Sequence, residues 1–168
     1  MRLTADTLRP MEAESPRFPS SRDAEGATEL NFSNGRNGIK GSPQKHILVV
    51  DDEQAVRELV VLTVARAGFR ADTALDGEEG WNALCLTSYD LVITDHEMPR
   101  LTGLDMIKRL RAVSVEPPCI LISGNLPESE STLQGIVHPG VILAKPFSCA
   151  ALIETVYSLL MRGDFQES

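Results

Sequence analysis

His46-Ile47-Leu48-Val49-Val50-Asp51-Asp52-Glu53 is the stretch on which the fold turns. A short run that stays apolar without alternation cannot present one side to water, so 46–50 reads as a strand covered on both faces. Two carboxylates follow it at once. Beyond them Val56, Leu59, Val60, Thr63, Val64 and Ala67 recur three and four residues apart, which is one face of a helix, and Gly68 stands where that helix should close. The same strand and helix pattern then returns. Further strands are expected over 69–74, 90–94, 118–123 and 141–144. Helices are expected around 78–86, at Leu104, Ile107 and Leu110 after Gly103, around 128–137, and from Leu152 to Leu160 with Gly163 as the stop. The fourth of these five helices is the weakest, because only Leu133, Ile136 and Val137 mark it and Gly135 interrupts it. Five successive βα units predict an α/β domain on a parallel sheet.

The flanking sequence is different in kind. Residues 1–44 are rich in Pro, Ser, Gly and Asn, and Leu8, Phe18, Leu30 and Phe32 stand isolated, so this segment reads as a disordered N-terminal extension and 45–163 as the domain. With 168 residues, 42% apolar and 24% charged, the chain is neither fibrous nor wholly disordered. No apolar run exceeds about five residues, against roughly 20 for a membrane span, and the first residues lack the apolar centre of a secretory signal. No membrane insertion and a cytoplasmic location are therefore expected. Cys85, Cys119 and Cys149 are scattered within apolar segments and read as core residues of a reducing compartment. His46, His96 and His138 lack metal-ligand spacing. Residues 1–44 carry six basic and six acidic side chains, so the net charge of −8 belongs to the rest. That charge disfavours direct nucleic-acid binding by the domain. Lys108, Arg109 and Arg111 are its one basic triplet, and they read as a solvated helix face.

In an open parallel sheet the functional groups gather outside the carboxyl ends of the strands. The first strand ends in Asp51-Asp52, the third in Asp95, the fourth in Ser123 and the fifth in Lys145-Pro146. Singly these have ordinary explanations: Asp51 or Asp52 as a helix cap, Ser123 as a turn residue, Lys145 as a surface charge. Together they form one mouth. Three carboxylates there would raise one another's pKa unless a hard divalent cation offset them, and Mg²⁺ suits a few carboxylates with water and phosphate oxygens. With a hydroxyl and an ammonium beside them, the set suits phosphoryl transfer.

Val49-Val50-Asp51-Asp52-Glu53, Leu91 through Pro99 with Gly103, Ile122-Ser123-Gly124 and Ala144-Lys145-Pro146-Phe147 occur in order, and the chain over about 45–162 resembles the receiver domain of two-component response regulators. The resemblance implies a flavodoxin-like, CheY-like, doubly wound sheet of order 2-1-3-4-5. It implies that Asp95 accepts a phosphoryl group from a histidine kinase or histidine phosphotransfer protein. Mg²⁺ would be held by Asp51, Asp52, Asp95 and the backbone carbonyl of Glu97, with Lys145 pairing with the phosphoryl group and the Ser123 hydroxyl bonding it. A cis peptide would precede Pro146.

Two features depart from that family. Its usual aromatic residue three positions before the lysine is Ile142 here, which has no ring to swing, so the switch is expected to run through 126–137, the fifth strand and the last helix. No output domain follows, which implies a single-domain response regulator acting on a downstream protein target, a switch and not a turnover enzyme. The rival readings are a haloacid-dehalogenase-type phosphatase, which needs an Asp where Glu97 stands, and an inert pseudoreceiver, which would have lost part of the mouth. Since the apolar stripes all lie beyond residue 44, a chain beginning at Gln44 should keep the solubility and melting temperature of the whole. A large fall in either on truncation would show that the extension packs on the domain.

Overall fold

The computed structural model describes residues 44–124 and 130–161, without the side chains of 130–132. The disordered extension, the Gly163 stop and the start of the fourth helix at 128 lie outside the described residues. Five strands alternate with five helices: β1 (His46–Val50), α1 (Gln54–Arg66), β2 (Arg70–Ala74), α2 (Gly77–Leu86), β3 (Leu91–Asp95), α3 (Gly103–Ala112), β4 (Cys119–Ser123), α4 (Glu130–Val137), β5 (Gly140–Ala144) and α5 (Cys149–Met161). The strands form one parallel sheet of order β2-β1-β3-β4-β5, as the resemblance implied.

The unbroken apolar runs have a simple cause. Side chains alternate across a strand, so Ile47 and Val49 enter one core while Leu48 and Val50 enter the other. The first core packs Ile93, Ile120 and Ile122 against Val60 and Val64 of α1 and Leu152, Val156 and Leu160 of α5. The second packs Leu121 and Val92 against Leu84 of α2, Met106, Ile107 and Leu110 of α3, and Leu133 and Val137 of α4. The edge strands are less covered: β2 is largely half-buried or exposed, and β5 is mostly half-buried. Ile142, on β5, rests half-buried against the second core.

Helix ends follow local chemistry. Gly68 closes α1 at φ 93°, a conformation that needs no Cβ, and Phe69 N–H returns to Val64 O. Asp76 caps α2, accepting from Glu78 and Glu79 N–H, while Thr102 caps α3 through Asp105 N–H. Neither Asp51 nor Asp52 caps α1, whose N-cap is Glu53.

Three sequence expectations need correction. Leu59 belongs to the apolar stripe by spacing but stands 48% exposed, because the face of α1 that meets the sheet is narrow and centred on Val60 and Val64. Of the cysteines only Cys119 is buried; Cys149 is exposed at the start of α5 and Cys85 is half-buried. Arg111 is no member of a solvated face. Its guanidinium donates to Val115 O, Pro117 O, Val137 O and His138 O, joining the end of α3 to the approach to β4 and to the C-terminus of α4. A cation at those last carbonyls is favoured by the helix dipole.

Gly103 fixes how the chain leaves β3. A Cβ there would lie 2.0 Å from Asp95 O and 2.8 Å from Thr94 Oγ1, so α3 begins pressed against the strand that precedes it. Gly103→Ala is expected to lower stability in chemical denaturation by about 2 to 3 kcal/mol, as overpacking against backbone does. An unchanged midpoint would mean that the loop before α3 yields freely.

Candidate functional site

Register assembles the site. Val50 pairs with both Ala74 and Thr94, so Asp51 and Asp95 leave neighbouring strands at one level. Asp95 pairs with Ile122, and Ser123 pairs with Ala144, so the residues that follow, Ser123 and Lys145, arrive at the same edge. Lys145 N–H donates to Ser123 O at 2.9 Å and His96 N–H donates to Ile122 O at 2.8 Å, which carries the ladder one step past the strands. Asp51, Asp95 and Ser123 are each buried, at 3% exposure, whereas Asp52 lies exposed on the rim.

Asp95 is held at both oxygens. Its Oδ1 lies 2.6 Å from Lys145 Nζ, and its Oδ2 accepts from Glu97 N–H at 2.9 Å. Asp51 Oδ1 accepts from Glu53 N–H at 2.8 Å, and Arg57 donates to the Asp51 carbonyl. Burial pushes the Asp51 carboxyl above its ordinary value; the Glu53 N–H opposes this, while the charge of Asp95 adds to it. Desolvation pulls the Lys145 ammonium down, but its hydrogen bond to Asp95 and the charges of Asp95, Asp51 and Glu97 outweigh that, and its pKa ends raised. Lys145 is thus held in its cationic form, while burial makes the charge on Asp51 costly. The mouth carries more negative charge than one ammonium can offset.

That imbalance is the test of a cation's fit. Apart from Lys145, Asp95 Oδ1 has no hydrogen-bond donor among the described residues. No three His, Cys, Asp or Glu side chains among the described residues are close enough to hold a metal by themselves. Hard oxygen donors that are too few to complete a shell suit Mg²⁺, which keeps several waters.

The structure places Asp51, Asp95, Ser123 and Lys145 at one edge, with Asp52 beside them and Glu97 joined to Asp95 through its N–H. The Lys145–Pro146 peptide is cis, as implied. Sequence reasoning passed over Thr94, fully buried beneath the mouth with Oγ1 donating to Asp95 O, and Asp76, the fully buried cap of α2. Asp76-Gly77-Glu78-Glu79 before an apolar stripe was a readable cap signal, since Glu79 also reaches back to Leu75 N–H. Thr94 left no signal, being one more residue of a buried strand.

The profile of the response regulator receiver domain matches residues 47–157. The chain belongs to the response regulator receiver domain family. Receiver domains of this kind serve two-component systems as switches, accepting phosphate on an aspartate from histidine kinases, and are not enzymes in the ordinary sense. Relatives include the alkaline phosphatase synthesis transcriptional regulatory protein SphR of Synechococcus elongatus, 31% identical over 134 residues, covering 74% of this chain and 52% of SphR. The transcriptional regulatory protein CusR of Escherichia coli is 32% identical over 118 residues, covering 70% of this chain and 52% of CusR. The chain thus spans about half the length of the curated relatives it matches. Among solved structures, the chemotaxis protein CheY4 of Vibrio cholerae superposes with a TM-score of 0.64 at 28% identity, over 70% of this chain and all of CheY4. The response regulator TrrA of Thermotoga maritima, in complex with Mg²⁺ and BeF, gives 0.63 at 33% identity, again over 70% of this chain and all of TrrA. The match leaves the phosphatase reading without support. Among the described residues no helix is long and apolar enough to cross a membrane.

The raised Asp51 pKa has a definite sign. A carboxyl raised in the fold favours the protonated form, so its contribution is present below the ordinary value of 3.8 and lost as pH rises through the raised one. In metal-free buffer at pH 7, Asp51→Asn in the receiver domain is expected to melt above wild type. The gap should close as pH falls towards 4. A variant that melts lower at pH 7 would show that pairing with Lys145 outweighs the desolvation of Asp51.

Proposed function

We propose that this receiver domain is a phosphoacceptor switch whose acceptor is Asp95. The observation that carries the reading is the buried Asp95 with one oxygen on the Lys145 ammonium at 2.6 Å, facing a second buried carboxylate, Asp51. One oxygen of Asp95 would attack the phosphorus of a phosphohistidine, forming an O–P bond as the P–N bond breaks; the imidazole leaves and takes up a proton. Glu97 N–H fixes the Asp95 carboxylate by its other oxygen, so the attacking group is oriented before the donor arrives. Lys145, kept protonated by its acidic neighbours, neutralises the oxygens that carry the added charge. Ser123 would donate its hydroxyl to one of them. Asp51, Asp52, Asp95 and the Glu97 carbonyl would hold Mg²⁺, which supplies charge neutralisation for the transferring group.

The donor partner is a histidine kinase or histidine phosphotransfer protein, and the output is a protein target reading the α4, β5 and α5 face. Residues 45–163 form this unit, in the cytoplasm. The retention of Asp51, Asp52, Asp95, Ser123 and Lys145 argues against an inert pseudoreceiver.

Acetyl phosphate with Mg²⁺ should label the protein once per chain, and beryllofluoride should shift its amide resonances. Asp95→Asn should lower labelling by at least about 100-fold, as loss of a nucleophile does. Label that persists in that variant, or that forms equally well with EDTA present, would remove Asp95 or the metal from the reading.

A further inference from the structure

The loop between β3 and α3 carries an ion pair that the phosphoacceptor reading does not use. Arg100 sits in this loop at φ 68°, a left-handed conformation that disfavours any residue with a Cβ and favours glycine. Its guanidinium pairs with Oδ2 of Asp76. Asp76 is wholly buried, and its Oδ1 is already committed to Glu78 and Glu79 N–H at the start of α2. For Oδ2 no hydrogen-bond donor other than Arg100 is found among the described residues. A buried carboxylate left half-partnered is costly, so Asp76 needs Arg100, whose own side chain is 63% exposed.

The pair spans a tight junction. A Cβ on Gly77 would lie 2.3 Å from Leu101 O, so the first residue of α2 is already against the residue next to Arg100. Leu101 N–H returns to Pro99 O, and Gly103 N–H returns to His96 O, which makes 96–103 one closed turn. Glu97 lies inside that turn, and its N–H is what holds Asp95 Oδ2. A path of short links therefore runs from α2 through Arg100 to the acceptor carboxylate.

We propose that Arg100 is a positioning residue of the phosphoacceptor site: through the buried Asp76 it pins the β3–α3 turn, and so keeps Glu97 N–H on Asp95. This rests on the reading of Asp95 as acceptor. The physical reason is that a turn containing a disfavoured backbone conformation would relax if its anchor were lost, and the Glu97 N–H would move with it. Arg100 touches no reacting atom. It acts on how often Asp95 is aimed, and so on the rate at saturating donor more than on donor binding.

The test separates the anchor from the backbone strain, because Arg100→Ala removes the anchor and keeps a Cβ at a positive φ, whereas Arg100→Gly removes both. In the whole chain without metal or donor, amide exchange at Glu97 should speed up about tenfold in Arg100→Ala and clearly less in Arg100→Gly, although both variants lower the melting temperature by stripping Asp76 of its partner. With acetyl phosphate and Mg²⁺, the maximal labelling rate of Arg100→Ala should fall about tenfold while the donor concentration at half-maximum stays near wild type. Arg100→Lys should recover part of both. Asp76→Asn, which keeps the cap but not the charge, should match Arg100→Ala, and the double variant should be no worse than either. Wild-type exchange at Glu97 in Arg100→Ala, exchange in Arg100→Gly as fast as in Arg100→Ala, or additive losses in the double variant, would overturn the proposal. Persistent labelling of Asp95→Asn would overturn the acceptor reading instead, and exchange at Glu97 is read without any donor.

Discussion

Two carboxylates side by side at the end of a covered sheet are the constraint around which this receiver domain is arranged. Asp51 and Asp95 leave adjacent strands at one level, and each is 3% exposed. Water cannot solvate them fully and their charges oppose each other, which is why Asp51 is pushed upward in pKa. Lys145 answers part of that charge from β5, two strands from Asp95. Backbone N–H groups of Glu53 and Glu97 answer another part. What remains is an excess of negative charge in a place too dry to hide it, and a phosphoryl-transfer site draws its affinity for cations from such an excess.

The glycines and caps around this mouth make the same point from the backbone side. Gly103 lets α3 start against Asp95 O, and Gly77 lets α2 start against Leu101 O, so both helices crowd the loop that follows β3. Thr94 secures Asp95 O from below. Asp95, the proposed acceptor, is therefore held by short-range packing in its own strand and around the loop that follows it.

Much of this was legible in the residues, for identifiable reasons. A sheet buried on both faces writes itself as unbroken apolar runs, and those at Ile47 to Val50 and Ile120 to Ile122 could be read as strands without any partner in view. The polar residues that end each run could be read as a site because an open parallel sheet has only one carboxyl edge. Strand order was not readable in this way and came with the family resemblance. Leu59 misled because spacing marks a face without stating how much of it is covered. Arg111 and Arg100 were invisible for a deeper reason. A long cation's partners are backbone carbonyls and a cap carboxylate from other elements, and nothing at its own position records them.

The place of β1 carries a consequence for how the chain reaches this state. It comes before every other strand in the chain, yet it lies between β2 and β3, with Ile47 opposite Ala71 on one side and Leu91 on the other. A hairpin cannot close either pairing, since parallel strands require a crossover through a helix. The smallest piece that satisfies both edges of β1 is therefore β1 through β3, and only this piece joins Asp51 to Asp95. Beyond that piece the sheet extends in one direction, through β4 to β5. The ammonium that partners Asp95 comes last in the chain, just after β5. In chain order both buried acids precede their lysine, so the strand pairing that sets them side by side does not by itself bring the charge that offsets them.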